Sequence, residues 1–195
     1  MLALLHLGGE RALDSAVLAY GQAVIGDRRR YRYVGPADIA SVALQGGEGR
    51  LIRSAKEFSS WVDSVDAREL AEPFTYVVDA NGVLRLAARR SEHVACAAGG
   101  EVLAAGEIAF VRRPDGWSVS EVSNQSTGYC PDPSCWPAVA AALHQAGLDH
   151  PGRLTSEFVF RRCLDCAELS VVKDGDFVCY VCGSDLPRAW NIDPA

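Results

Sequence analysis

The sequence predicts an α+β protein with N-terminal helices, a central antiparallel β-meander, one further helix and a C-terminal zinc ribbon. Three observations carry that reading. Apolar residues recur at helical spacing before residue 70, short runs broken by turn signals fill residues 74–123, and two CxxC pairs follow after residue 160. The expected division is an α+β main domain over 1–152 and a ribbon over 153–195 that packs on it. Within the main domain, helices lie in 10–70, the sheet over 74–123 and a helix over 137–148.

Leu13, Val17, Tyr20 and Val24 recur at i, i+4, i+7 and i+11, a stripe that predicts a helix over 10–26 stopped by Gly26. Pro36 suits a first helical turn, so a second helix is expected to about Leu44, with a loop over Gly46–Gly49. Ser54-Ala55-Lys56-Glu57 has the form of a capping box ahead of Phe58, Trp61, Val62 and Val65. It predicts a third helix to about Leu70. Phe74–Val78 and Val83–Leu86 read as strands joined by Asp79-Ala80-Asn81-Gly82, because Asn-Gly tolerates positive φ. Strands are expected again over 93–98, 101–111 and 117–123, with turns at Gly99-Gly100 and Arg113–Gly116. Pro137–Leu148 reads as an Ala-rich helix, with Val139 and Leu143 at i, i+4 and Gly147 near its end.

Composition narrows the function classes. The chain has 195 residues, 49% hydrophobic and 23% charged, which excludes wholesale disorder. A net charge of −6 argues against a general polyanion binder, so nucleic acid is not the expected partner. Only Lys56 and Lys173 among the 19 basic residues are lysines, the arginine bias that GC-rich bacterial coding produces. The basic run Arg28–Arg32, with Tyr31 and Tyr33, is the best candidate for an acidic partner; its bland reading is a solvated face. No stretch reaches the roughly 18–20 apolar residues of a membrane span. The opening MLALLHLGG has neither a basic n-region nor a small-residue cleavage pattern, so a cytoplasmic location is expected.

Seven cysteines in a reducing compartment point to metal more than to disulfides. Cys163-Leu164-Asp165-Cys166 and Cys179-Tyr180-Val181-Cys182 each place two thiolates in a tight knuckle, and two knuckles complete a tetrahedron around one ion. Between them a hairpin is expected, Leu169–Val172 against Phe177-Val178 through the turn Lys173-Asp174-Gly175. The arrangement resembles the zinc-ribbon family over about 158–186. Carried over by position, the resemblance implies one structural zinc on Cys163, Cys166, Cys179 and Cys182. Iron is chemically compatible with the same four thiolates. Residues 158–195 carry four basic side chains (Arg161, Arg162, Lys173, Arg188) against six acidic ones (Asp165, Glu168, Asp174, Asp176, Asp185, Asp193). That −2 balance favours a stabilising clamp or protein-docking surface over a phosphate reader. Phe158, Phe160 and Trp190 flank the knuckles and are expected to pack on the main domain, since so small a module cannot bury them alone.

The segment Glu92–Glu107 is rich in Gly and Ala, which lets backbones approach each other or a ligand. A polar loop, Glu121–Pro131, follows. His93, Ala98-Gly99-Gly100, Ala104-Ala105-Gly106 and Ser126 through Pro131 together resemble a β-rich domain of plant IQ-motif proteins and bacterial effector-like proteins, over about 93–131. There is no IQ motif, so calmodulin binding is not implied. His93, Glu107, Ser126 and Tyr129 are the candidate catalytic or ligand-contacting groups; the bland reading makes His93 a satisfied histidine and Glu107 a turn cap. Cys96 reads as a buried inert thiol. Cys130 and Cys135 read as free thiols, the alternatives being a disulfide or half of a second metal site with His144 and His150.

The functional expectation is an intracellular zinc-binding protein that acts as a binding or interaction module, with a protein or a small ligand as partner. The alternative is an enzyme acting on a small or nucleotide-like ligand in a cleft of the central sheet.

Overall fold

A computed structural model describes residues 29–45 and 47–192. The helix expected over 10–26 lies outside the described residues. Helix α1 (Ala37–Ala43) starts behind Pro36 as anticipated. Strand β1 (Arg50–Ile52) then leads into α2 (Ala55–Val62). Ser54 caps α2 by accepting from the Glu57 N–H at 3.2 Å, while the Glu57 carboxylate reaches back to the Arg53 N–H at 2.7 Å. The single helix expected to Leu70 is two: α2 ends at Val62, and Asp66 caps a separate short α3 (Ala67–Leu70) through the Arg68 N–H. The apolar spacing does not show this break.

Strands β2 (Phe74–Asp79) and β3 (Leu84–Ala87) form the expected hairpin. Asp79 tightens it by accepting from the Asn81 and Val83 N–H groups, with Gly82 at φ +81°. The strand expected over 93–98 is instead helix α4 (His93–Cys96). Alanine is the best helix former, and the Gly pair acts as a helix stop rather than a hairpin turn. Ala98 and Gly99 take positive φ, and the Gly99 and Ala98 N–H groups close on the Val94 and Ala95 carbonyls at 2.8 Å.

This helix changes the topology. It lets β4 (Val102–Arg113) land on the far side of β2, and β4 then turns into β5 (Gly116–Val122). The antiparallel sheet therefore runs β1-β3-β2-β4-β5, not in strict chain sequence. Central strand β2 is buried along its whole length. By strand alternation Phe74, Tyr76 and Val78 point to one face, Thr75 and Val77 to the other. The first face carries an aromatic cluster in which Phe58 and Trp61 of α2 meet Phe74 and Phe110. It also carries the Ala-rich helix α5 (Trp136–Gln145), whose following Gly147 abuts Ala55. The second face carries α4, anchored where the Thr75 hydroxyl donates to the Arg89 and Ser91 carbonyls.

At Gly106 a Cβ would collide with the Ser123 carbonyl oxygen, so this glycine sets how closely β4 and the chain after β5 approach. Tyr76 donates its hydroxyl to that same carbonyl at 2.8 Å. The outer edge of β5 is lined by the chain between 149 and 156, with Val119 N–H donating to Asp149 O and Thr155 N–H to Val122 O. A second, two-stranded sheet pairs β6 (Val159–Arg162) with β7 (Leu169–Val172). Here too the pairing differs from expectation. The strand before the first knuckle, not Phe177-Val178, partners 169–172, and Val178 bridges to Asp185 instead.

Candidate metal centre

The first knuckle lies in the turn between β6 and β7. Cys163 N–H donates to the Glu168 carbonyl and Ala167 N–H to the Cys163 carbonyl. The second is closed by Cys179 N–H on Ser184 O and Gly183 N–H on Cys179 O, with Gly183 at φ +78°. These two turns bring the four sulfurs of Cys163, Cys166, Cys179 and Cys182 within 4.8 Å of one another. The cross-knuckle separations are 3.5 Å for Cys163–Cys182 and 3.6 Å for Cys166–Cys179. Four sulfurs about 2.3 Å from a common centre form a tetrahedron with edges of about 3.8 Å, so the set fits one ion with thiolate ligands.

The shell around the sulfurs favours thiolate at the second knuckle. At the first, a hydrogen bond from the Glu168 backbone is outweighed by burial and the sulfurs of the other three cysteines, which push Cys166 up to about 12. The Cys182 N–H, with the Val181 N–H and the Ser170 hydroxyl (3.6 Å), outweighs burial at Cys179 and pulls its thiol down to about 6. Ser184 lowers Cys182 in the same way, its hydroxyl lying 3.4 Å from that sulfur. Among the described residues this is the one group of His, Cys, Asp and Glu side chains arranged to hold a metal. The other three cysteines are free and buried, and burial pushes each of Cys96, Cys130 and Cys135 up to about 12.

The knuckles are tied to the sheet by a seam. Fully buried Asn124 donates Nδ2 to the Pro131 and Phe158 carbonyls, both at 2.7 Å, and accepts the Phe158 N–H at 2.8 Å. Trp190 Nε1 donates to Cys130 O at 2.8 Å, and its ring meets Tyr31 edge-on at 5.3 Å. Phe160 and Ile192 bury with Cys130. Buried Arg161 donates to the Phe160, Pro187 and Arg188 carbonyls and lies 3.6 Å from the Asp132 carboxylate. Asn124 lies in the polar loop that the sequence marks. Its buried amide is visible only once that loop is folded against Phe158.

Neither described cleft is lined by all four central candidates. A shallow cleft of about 100 Å³ is lined by Glu107 together with Glu121, Ser123, Gln125, Thr155 and Phe158, among others, and not by His93, Ser126 or Tyr129. His93 places Nε2 3.0 Å from Gly106 O, and burial holds its pKa below the usual histidine range. Ser126 is buried and its hydroxyl accepts the Tyr129 N–H. Tyr129 is buried with its hydroxyl donating to Gly100 O at 2.8 Å. In the basic run, Arg30 and Arg32 pair with Glu101, Arg29 lies over the Trp190 ring at 4.7 Å, and Tyr31 is buried. No described helix is long and apolar enough to cross a membrane.

Comparison with protein-family models, curated proteins and solved structures yields no match for the chain. The resemblances read over 158–186 and 93–131 draw no support from those comparisons.

Proposed function

We propose that this chain is an intracellular binding module whose 158–190 segment is a ribbon built on one structural zinc ion. The single observation behind the reading is the grouping of the Cys163, Cys166, Cys179 and Cys182 sulfurs within 4.8 Å of one another. Zinc suits a closed four-thiolate set because it needs no particular electronic geometry and no redox partner. With every position taken by cysteine, the ion has nowhere to bind substrate, so it supplies folding energy to the two knuckles. The Asn124–Phe158 and Trp190–Cys130 hydrogen bonds pass that rigidity to the sheet.

The enzyme reading gains less. The Glu107 cleft is below the roughly 300–1,000 Å³ of small-molecule sites. Tyr129 and Ser126 spend their polar groups on the backbone.

Elemental analysis of protein purified under reducing conditions tests the proposal. About one zinc per chain is expected, as a closed four-cysteine site requires. Protein that holds no metal, or iron in its place, refutes it.

A further inference from the structure

We propose that the two knuckle tips form a docking surface for a basic protein segment carrying an apolar anchor; this rests on the ribbon reading above and adds the partner's chemistry. Leu164 is 77% exposed, Tyr180 75% and Val181 54%. All three occupy the variable positions between paired ligands, in turns whose sulfurs lie within 4.8 Å of one another, so they share one end of the ribbon. Large apolar side chains this exposed are unusual on a surface that needs no partner when they are grouped, and here they are grouped on the two turns that hold the four sulfurs.

The charged side chains beside them are mostly acidic. Asp165 and Glu168 are exposed at the first knuckle and Asp185 lies after the second. Four thiolates on a divalent ion add about −2. Two of the ribbon's four cations are held away from the tips: Arg161 is buried toward Asp132 and Arg188 covers the Phe177 ring at 4.1 Å. Arg162 lies at the foot of the first knuckle, where it donates to the Ala167 carbonyl. The fourth, Lys173, sits in the turn that follows β7, outside both knuckles. An apolar tip with an acidic surround is complementary to an aliphatic or aromatic side chain flanked by Lys or Arg, and repels the phosphates of a nucleic acid and an anionic lipid surface.

The test pans a random-peptide display library against the zinc-loaded full chain. Selected peptides should combine an apolar residue with flanking Lys or Arg. A synthetic copy of a selected peptide should bind about tenfold or more weakly to Tyr180→Ser or Leu164→Ser, as loss of a central anchor does. Asp165→Lys should weaken it as well, and added salt should lower its association rate. Each variant should keep the zinc content and thermal midpoint of the parent, since these side chains face solvent. Selection of acidic or uncharged peptides overturns the proposal, as does binding indifferent to Tyr180 and Leu164. So does preferential binding to a single-stranded oligonucleotide or to phosphatidylserine vesicles. A zinc-loaded chain that selects nothing overturns this proposal alone; a chain that holds no zinc overturns the ribbon reading with it.

Discussion

Asn124→Ala cuts the seam at its most committed residue. The side chain is wholly buried and makes three hydrogen bonds, two donated to carbonyls and one accepted from the Phe158 N–H. Alanine removes all three and leaves the Pro131 carbonyl and both backbone groups of Phe158 without their partners. At about 1–1.5 kcal/mol per intramolecular hydrogen bond, the loss comes to about 3–4.5 kcal/mol. A single domain holds only about 5–15 kcal/mol in total, so this is a large fraction. For a chain of this size, each kcal/mol moves the midpoint by about 2–4 °C, so Tm should fall by about 6–18 °C. Urea denaturation followed by tryptophan fluorescence measures the free energy, and Trp190 beside the seam reports on it locally. Asn124→Asp is the companion variant. It keeps the shape but turns a carboxylate oxygen toward two carbonyls, and should be at least as damaging. A loss below about 1 kcal/mol for Asn124→Ala, with three bonds removed, would refute the claim that this amide holds ribbon and sheet together.

Cys182→Ser should make residues 158–190 protease-sensitive while the β2–β5 sheet stays protected, because metal binding and ribbon folding are one equilibrium. A Cys182→Ser protein that keeps its thermal midpoint yet loses partner binding completely would contradict a scaffolding metal. Gly106→Ala must push the Ser123 carbonyl out of a steric collision, and should cost at least the upper end, about 3 kcal/mol, of ordinary overpacking in equilibrium unfolding. An alanine variant of near-parental stability would mean that the two backbones have slack. Burial depresses the folded-state pKa of His93, so the unfolded chain binds the extra proton first as pH falls. Stability should therefore be highest above the unfolded value of about 6.5 and decline below it, and a His93→Gln chain should lose that part of the slope. Parallel slopes for the two proteins between pH 7 and 5 would refute the assignment.

The local chemistry of the chain is legible where a pattern maps onto a short range of residues. The Ser54 cap, the Asp79–Gly82 turn and the two knuckles lie in sequence as they lie in space. Segment 93–98 departs from the strand expectation because its small residues act through helix propensity more than through close approach. Ala95, Ala97 and Ala98 ahead of Gly99-Gly100 carry a helix-and-stop signal in the sequence itself. Close approach does occur, between backbones, and at Gly106. The strand order is out of reach because it follows from where α4 deposits β4, which no local pattern records. The central candidates are subject to the same limit. A histidine, a serine and a tyrosine near glycines look alike in sequence whether they line a cleft or, as Ser126 and Tyr129 do here, hydrogen-bond backbone groups while buried.

The two margins of the five-stranded sheet bear on how this protein meets others and on how it stays out of fibrils. Along β5 the outer amide and carbonyl groups are engaged by Asp149 and Thr155 of the same chain. At the opposite margin β1 offers three residues, with Arg50 in it and Arg53 just beyond. A stacking neighbour would find one side taken and the other too short and too charged to extend, the usual guards against edge-to-edge polymerisation. Recruitment of a partner's strand is closed off by the same guards. Recognition is thereby left to side chains carried on turns, whose chemistry can change without disturbing the ladder beneath them.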